Sequence, residues 1–221
     1  VASILRGEYL TTGPTVLAFE KRLAEVTGSR KAISCSSGTA ALHLATLALK
    51  LGPGDKVIVP SITFLATANA VRFVGADVIF SDVDPETGLM TAKHLKKALG
   101  KNSDQVKAVI PVHLAGQSPD MPVISSIAKE RGIRVIEDAS HALGTTNIRS
   151  NKFVTRVGDC KESDITVFSF HPIKSIAMGE GGGLTTKSKG LARRLTLLRN
   201  HGMVRTPDMF KNIDLAFDSS G

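Results

Sequence analysis

"KAISCSSGTAALHLATLALKL", Lys31 to Leu51, holds the pattern on which the fold turns. Its first five residues, "KAISC" (31–35), read as a short, mostly buried strand. Two serines and a glycine follow, and "GTAALHLATLALKL" (38–51) reads as a helix. Ser37 can cap that helix, and the amides near Gly38 and Thr39 point toward whatever lies at its N-terminus. Free amides and the helix dipole together make a site for phosphate. An ordinary N-cap uses the same residues, so this stretch alone leaves both readings open.

The same strand-then-helix pattern repeats outward. "KVIVP" (56–60), "DVIFS" (77–81), "KAVIPVH" (107–113), "IRVIED" (133–138) and "DITVFSF" (164–170) read as strands, and "GLTT" (183–186) adds a short seventh. Helical patterns run over "TFLATANAVRFVG" (63–75), "TAKHLKKAL" (91–99), "MPVISSIAKERG" (121–132) and "LARRLTLLRNHG" (191–202). Such alternation predicts an α/β fold of three layers, with a mainly parallel seven-stranded sheet covered on both faces. No repeat, low-complexity tract or linker divides it. Ligands of such sheets gather at the carboxyl ends of strands. Three polar clusters fall there: Ser36 to Thr39, Asp138 to His141, and Ser169 to Lys174.

Composition narrows the function. Of 221 residues, 42% are hydrophobic and 22% charged, which describes a globular chain and not a disordered one. No apolar run approaches the roughly 18 residues of a membrane span. Cys35 and Cys160 make neither a disulfide framework nor a zinc motif, so no metal is expected and a reducing cytoplasm is the expected setting. The formal charge is +8. Lys187, Lys189, Arg193, Arg194, Arg199 and Arg205 concentrate it after the glycine-rich turn. Without aromatic interleaving or a known motif, nucleic acid is a poor reading. A solvated helix face or an anionic small substrate remains.

Three residue sets carry chemistry. Asp138 ends a nearly all-apolar strand, where a carboxylate is costly to bury unless something cationic meets it, so it is either an exposed strand-end acid or the partner of a protonated ring nitrogen. His141 follows three residues later, either as a contact for a bound group or as an ordinary hydrogen-bonded histidine. Lys174 follows the strand "DITVFSF" within "FHPIKS"; taken alone it is a solvated surface amine or one that, near apolar walls and other cationic groups, loses proton affinity and can attack carbonyls. Gly181, Gly182 and Gly183 are read as letting the chain turn tightly beside it. A phosphate cradle, an acidic strand end and a strand-end lysine, in that order, suggest pyridoxal phosphate, which needs all three.

"GEYLTTGP", "SSGTAALHLA", "PGDKVIVPSITFLATANAV", "IEDASHALG" and "FSFHPIKSIAMGEGG" resemble the DegT/StrS-type sugar aminotransferases, a family of fold-type I pyridoxal-phosphate enzymes. Within it, "PVHLAGQSPDM", "VGDCKESDITVFSFHPIKSI" and "RNHGMVR" look most like the transaminases of the pseudaminic acid pathway. The resemblance implies that Lys174 is the Schiff-base and proton-transfer lysine and that Asp138 pairs with the pyridine nitrogen. It implies that Gly38, Thr39 and Ser169 hold the phosphate, that Phe64 lies over the cofactor ring, and that His141 lies beside it. His171 belongs to the same motif with no role assigned. It further implies L-glutamate as donor, a nucleotide-linked keto-sugar as acceptor, and a homodimer with shared active sites, with neither nucleic acid nor membrane as partner. Residues 1–221 are expected to hold most of the large, cofactor-binding domain, with a small C-terminal domain beyond. Dehydrating relatives replace the lysine with histidine, so Lys174 argues against that activity. A non-catalytic regulatory relative of the same fold is the alternative from another class.

Overall fold

Two helices precede the first strand in the computed structural model, which describes residues 1–100, 105–148 and 154–203. They are Ala2–Leu5 (α1) and Pro14–Thr27 (α2), and the reading above predicts neither. Pro14 opens α2 at its first helical position, where a missing N–H costs nothing, and Gly28 ends it at φ 74.

The chain continues through β1 (Lys31–Cys35), α3 (Gly38–Ala48), β2 (Lys56–Pro60), α4 (Leu65–Phe73) and β3 (Asp77–Ser81). It goes on through α5 (Ala92–Leu99), β4 (Val106–Val109), α6 (Met121–Glu130) and β5 (Arg134–Asp138). Two short strands, β6 (Thr146–Ile148) and β7 (Val154–Arg156), form a separate antiparallel pair. The last elements are β8 (Ile165–Ser169), β9 (Gly182–Thr186) and α7 (Lys189–Arg199).

Seven strands form one sheet in the order β1-β9-β8-β5-β4-β2-β3. The pairs among β8, β5, β4, β2 and β3 are parallel, and β9 runs antiparallel to both β8 and β1. The expected α/β class and mainly parallel sheet are therefore observed. Strand "KAVIPVH" is shorter than expected. Pro111 has no N–H for a ladder, so β4 stops at Val109, and an isolated bridge from Val112 to Asp138 continues the pairing.

Alternation decides which side chains go where. Val57 and Val59 enter one apolar cluster with α3, α4 and α7, while Ile58 enters a second with α5 and α6. In β5, Ile136 joins the first cluster and Val135 the second. Fully burying one such side chain contributes about 1.5–3 kcal/mol, and a one-residue slip would turn every one of them to the wrong face. Asp138 therefore shares the α3/α4 face with Ile136, and Glu137 takes the opposite face. Ser169 follows Ile165 and Val167 onto the α3/α4 face.

Candidate active site

The carboxyl ends of β1, β5 and β8 open into one cleft of ≈ 940 Å³. Gly38, Thr39, Phe64, Asp138, His141, Ser169 and Lys174 all line it. Residues spread over more than half the chain are thus brought together.

At its floor stands the N-terminus of α3. The Ser37 hydroxyl accepts the Ala40 N–H at 3.1 Å, and the Ser37 carbonyl accepts from Ala41. That leaves the N–H groups of Gly38 and Thr39 with no partner among the described residues, both at the positive end of the helix dipole. A Cβ at position 38 would stand 2.7 Å from the Ser169 Cβ, so only glycine lets α3 approach β8 this closely.

Asp138 is 4% exposed, and no cation touches its carboxylate among the described residues. Oδ2 accepts the Thr67 hydroxyl at 2.7 Å; Oδ1 accepts the Ser140 hydroxyl at 2.7 Å and its N–H at 3.2 Å. Neither Thr67 nor Ser140 was singled out from the sequence. The signal for Thr67 is a hydroxyl on the buried stripe of α4, with Ala66, Ala70 and Val71; for Ser140 it is the two-residue spacing of an Asx turn.

Lys174 is half-buried in the loop after β8, its N–H donating to the His171 carbonyl at 2.9 Å. Burial lowers its proton affinity below the ordinary lysine value, and the negative Asp138 partly opposes this. Burial and the positive Lys174 likewise lower His141, against the pull of Asp138. The Ala115 N–H donates to His141 Nδ1 at 3.3 Å, so a neutral His141 carries its proton on Nε2. Ala115 holds that N–H in place at φ 53, in the left-handed region that alanine seldom adopts. Phe64 is the N-cap of α4 and is 73% exposed at the cleft mouth. His171 is exposed, 3.9 Å from Glu180.

The triple glycine requires a correction. Gly182 and Gly183 are not a turn; they are buried residues of β9 with ordinary backbone angles. A Cβ on Gly182 would overlap the Ser37 carbonyl, and one on Gly183 would stand 2.8 Å from Leu23. Close strand packing demands glycine here. The left-handed turn after Lys174 is made by Gly179, at φ 76.

The basic cluster also finds its place. Arg199 pairs with Glu20 and donates to the Ser34 carbonyl at 3.2 Å, tying α7 to α2 and β1. It does not line the cleft. Arg194 donates to the Ala48 carbonyl at 2.5 Å, closing the C-terminus of α3, and Lys187, Lys189 and Arg193 are solvated. Arg205 lies outside the described residues. Among the described residues no helix is long and apolar enough to cross a membrane.

The sequence model of the DegT/DnrJ/EryC1/StrS aminotransferase family matches residues 1–218. Among solved structures, DesV of S. venezuelae, in complex with a ketimine intermediate, is 33% identical with a TM-score of 0.83; the match covers 91% of this chain and 52% of that one. An aminotransferase from Psychrobacter cryohalolentis is 35% identical, TM-score 0.83, over 91% of this chain and 49% of its own. Spr1654 of Streptococcus pneumoniae, in a form carrying PLP, is 30% identical, TM-score 0.83, over 93% and 55%. The chain thus spans about half the length of each.

Proposed function

This chain belongs to the DegT/DnrJ/EryC1/StrS aminotransferase family, and from that we propose that the full-length protein is a pyridoxal-phosphate-dependent transaminase. It moves an amino group from L-glutamate to C4 of a nucleotide-linked, UDP-bearing 4-keto-6-deoxy sugar. The observation that carries this reading is the convergence in one cleft of a helix N-terminus, a buried carboxylate and a lysine of weakened proton affinity.

The residues fit the cofactor. Gly38 and Thr39 offer free N–H groups and, with the Ser169 hydroxyl, hold the phosphate. Asp138 has acceptor capacity left for a ring N–H, and Phe64 covers the mouth. When bound, the cofactor supplies an electron-accepting ring and a carbonyl carbon that carries the amino group between donor and acceptor. Lys174 would hold the cofactor through that carbon and, once displaced by the substrate's amine, would be the base that moves a proton to and from the substrate carbon, its proton being released at lower pH than that of free lysine. Asp138 would keep the ring nitrogen protonated, and a neutral His141 would have its Nε2–H free to donate within the cleft.

The sugar and its nucleotide rest on the segments "PVHLAGQSPDM", "VGDCKESDITVFSFHPIKSI" and "RNHGMVR", which are similar to pseudaminic acid pathway transaminases. A homodimer whose subunits share active sites belongs to the same reading, as does a cytoplasmic setting, which the two free cysteines suit.

The test is to incubate the full-length protein, loaded with cofactor, with glutamate and a panel of nucleotide keto-sugars and identify products by mass. Amination of the UDP-4-keto-6-deoxy acetamido sugar ahead of dTDP- and GDP-linked or 3-keto sugars is expected. Preference for pyruvate or oxaloacetate overturns the sugar, and absence of any glutamate half-reaction overturns the transaminase. Borohydride reduction and peptide mapping should place the pyridoxyl label on Lys174; label on another lysine overturns that role.

A further inference from the structure

We propose that Thr67, with Thr63 behind it, is a positioning residue that fixes which oxygen of Asp138 faces the bound ring and how strongly that oxygen holds the ring proton. The inference rests on the reading that Asp138 pairs with a pyridine nitrogen.

Hydrogen-bond accounting leads there. An ionised carboxylate has about four acceptor positions, two on each oxygen. Ser140 fills both positions on Oδ1, through its hydroxyl and its N–H. On Oδ2 the Thr67 hydroxyl fills one, at 2.7 Å, and the other has no donor among the described residues. Asp138 lines the cleft, so the open position on Oδ2 is the one left for a ring N–H.

Thr67 has a single hydroxyl proton, and Asp138 takes it. Its contact with the Thr63 hydroxyl, at 2.7 Å, then runs in one direction only, with Thr63 donating. Thr63 lines the cleft, whereas Thr67 is fully buried. The chain Thr63 to Thr67 to Asp138 is a fixed relay of dipoles in which each donor strengthens the next. A donor on Oδ2 drains negative charge from the atom that faces the ring, and it stops the carboxylate from rotating. Both effects act on the ring nitrogen from a residue 71 positions away in sequence that does not line the cleft.

The test uses full-length protein loaded with pyridoxal phosphate labelled with 15N in the ring. The ring-nitrogen chemical shift and the cofactor Kd are measured for wild type and for Thr67→Val, Thr67→Ser, Thr63→Val and Asp138→Asn. Thr67→Val frees the carboxylate to rotate away from the ring, and that loss of orientation should outweigh the charge returned to Oδ2 and weaken cofactor binding about tenfold. The 15N shift should move from the wild-type value. Thr67→Ser should restore both readouts, and Thr63→Val should move both in the same direction by less. Wild-type shift and Kd in a folded Thr67→Val overturn the proposal. If that variant does not fold, Thr63→Val decides: an unchanged shift overturns the proposal and a displaced one supports it. Asp138→Asn separates the layers. If it too leaves the shift at the wild-type value, Asp138 is not the ring's partner and the underlying reading falls; if only Asp138→Asn moves the shift, Thr67 alone is ruled out.

Discussion

Glu137 and Asp138 are adjacent in β5 and almost equally buried, at 5% and 4% exposure, yet they lie in opposite worlds. Glu137 faces away from the candidate active-site cleft and has three partners, one of them an imidazole. His113 Nε2 lies 2.8 Å from Oε2, while the Ser163 and Thr166 hydroxyls donate to Oε1. Burial alone would raise this carboxyl, but His113 and the two hydroxyls overcome it and hold the group below the ordinary carboxylate range. Asp138 faces the cleft with hydroxyl and amide donors only, and one acceptor position is left over. A buried carboxylate paired with an imidazole inside the fold is a strut. One that keeps a position open toward a cleft is equipped to receive something.

Exchanging each acid for its amide should expose that difference. Asp138→Asn is expected to fold and to lose transamination by at least about a hundredfold, as when a preorganised electrostatic group is removed. Glu137→Gln should keep turnover within a few-fold in the same steady-state assay. Equal activity losses in the two variants would break the comparison.

Stability should reverse the ranking. Breaking a buried pair strands its partner, so Glu137→Gln should cost about 3 kcal/mol in denaturant unfolding, against a small change for Asp138→Asn. The His113–Glu137 pair also links the segment after β4 to β5, next to the bridge in which the His113 N–H donates to the Asp138 carbonyl at 3.0 Å.

Acid should erase that advantage. Because the folded Glu137 sits below its ordinary value of 4.5, its contribution is fully present above that pH and is lost as pH falls through the folded pKa. The stability gap between wild type and Glu137→Gln should therefore be constant near neutrality and close progressively as pH falls below 4.5 and through the depressed folded value. A gap that widens on acidification would contradict the assignment.

The smallest effect expected is at Ser140. Its Ala variant loses the hydroxyl on Asp138 Oδ1 but keeps the N–H, so cofactor binding should weaken only about three- to tenfold. Equilibrium dialysis against pyridoxal phosphate measures this.

Much of the frame was legible beforehand. β1, β2 and β3 begin and end where the apolar runs "KAISC", "KVIVP" and "DVIFS" do, and Ser37 caps α3 as its position before Gly38 suggests. These are local matters of period two against period 3.6 and of one hydroxyl reaching three residues on. α2 is not predicted although Pro14 and Gly28 bracket it, because it buries only Leu23 and Thr27 and so carries a weak apolar stripe. The glycines of β9 were misread because their reason is the neighbouring Ser37 carbonyl, and nothing within the triplet reveals that neighbour.

The sequence by itself determined that this chain alternates strand and helix, that polar clusters sit at strand ends, and that Lys174 and Asp138 are unusual where they stand. Each of those follows from interactions within a few residues. Only the tertiary structure decided that Ser36–Thr39, Asp138–His141 and Ser169–Lys174 share one cleft, that Arg199 serves Glu20, and that Thr67 reaches Asp138. Strand order and the face each residue takes are set by the burial of the whole sheet between α3, α4 and α7 on one side and α5 and α6 on the other. Contacts so distant in sequence exist only after that burial has fixed the register.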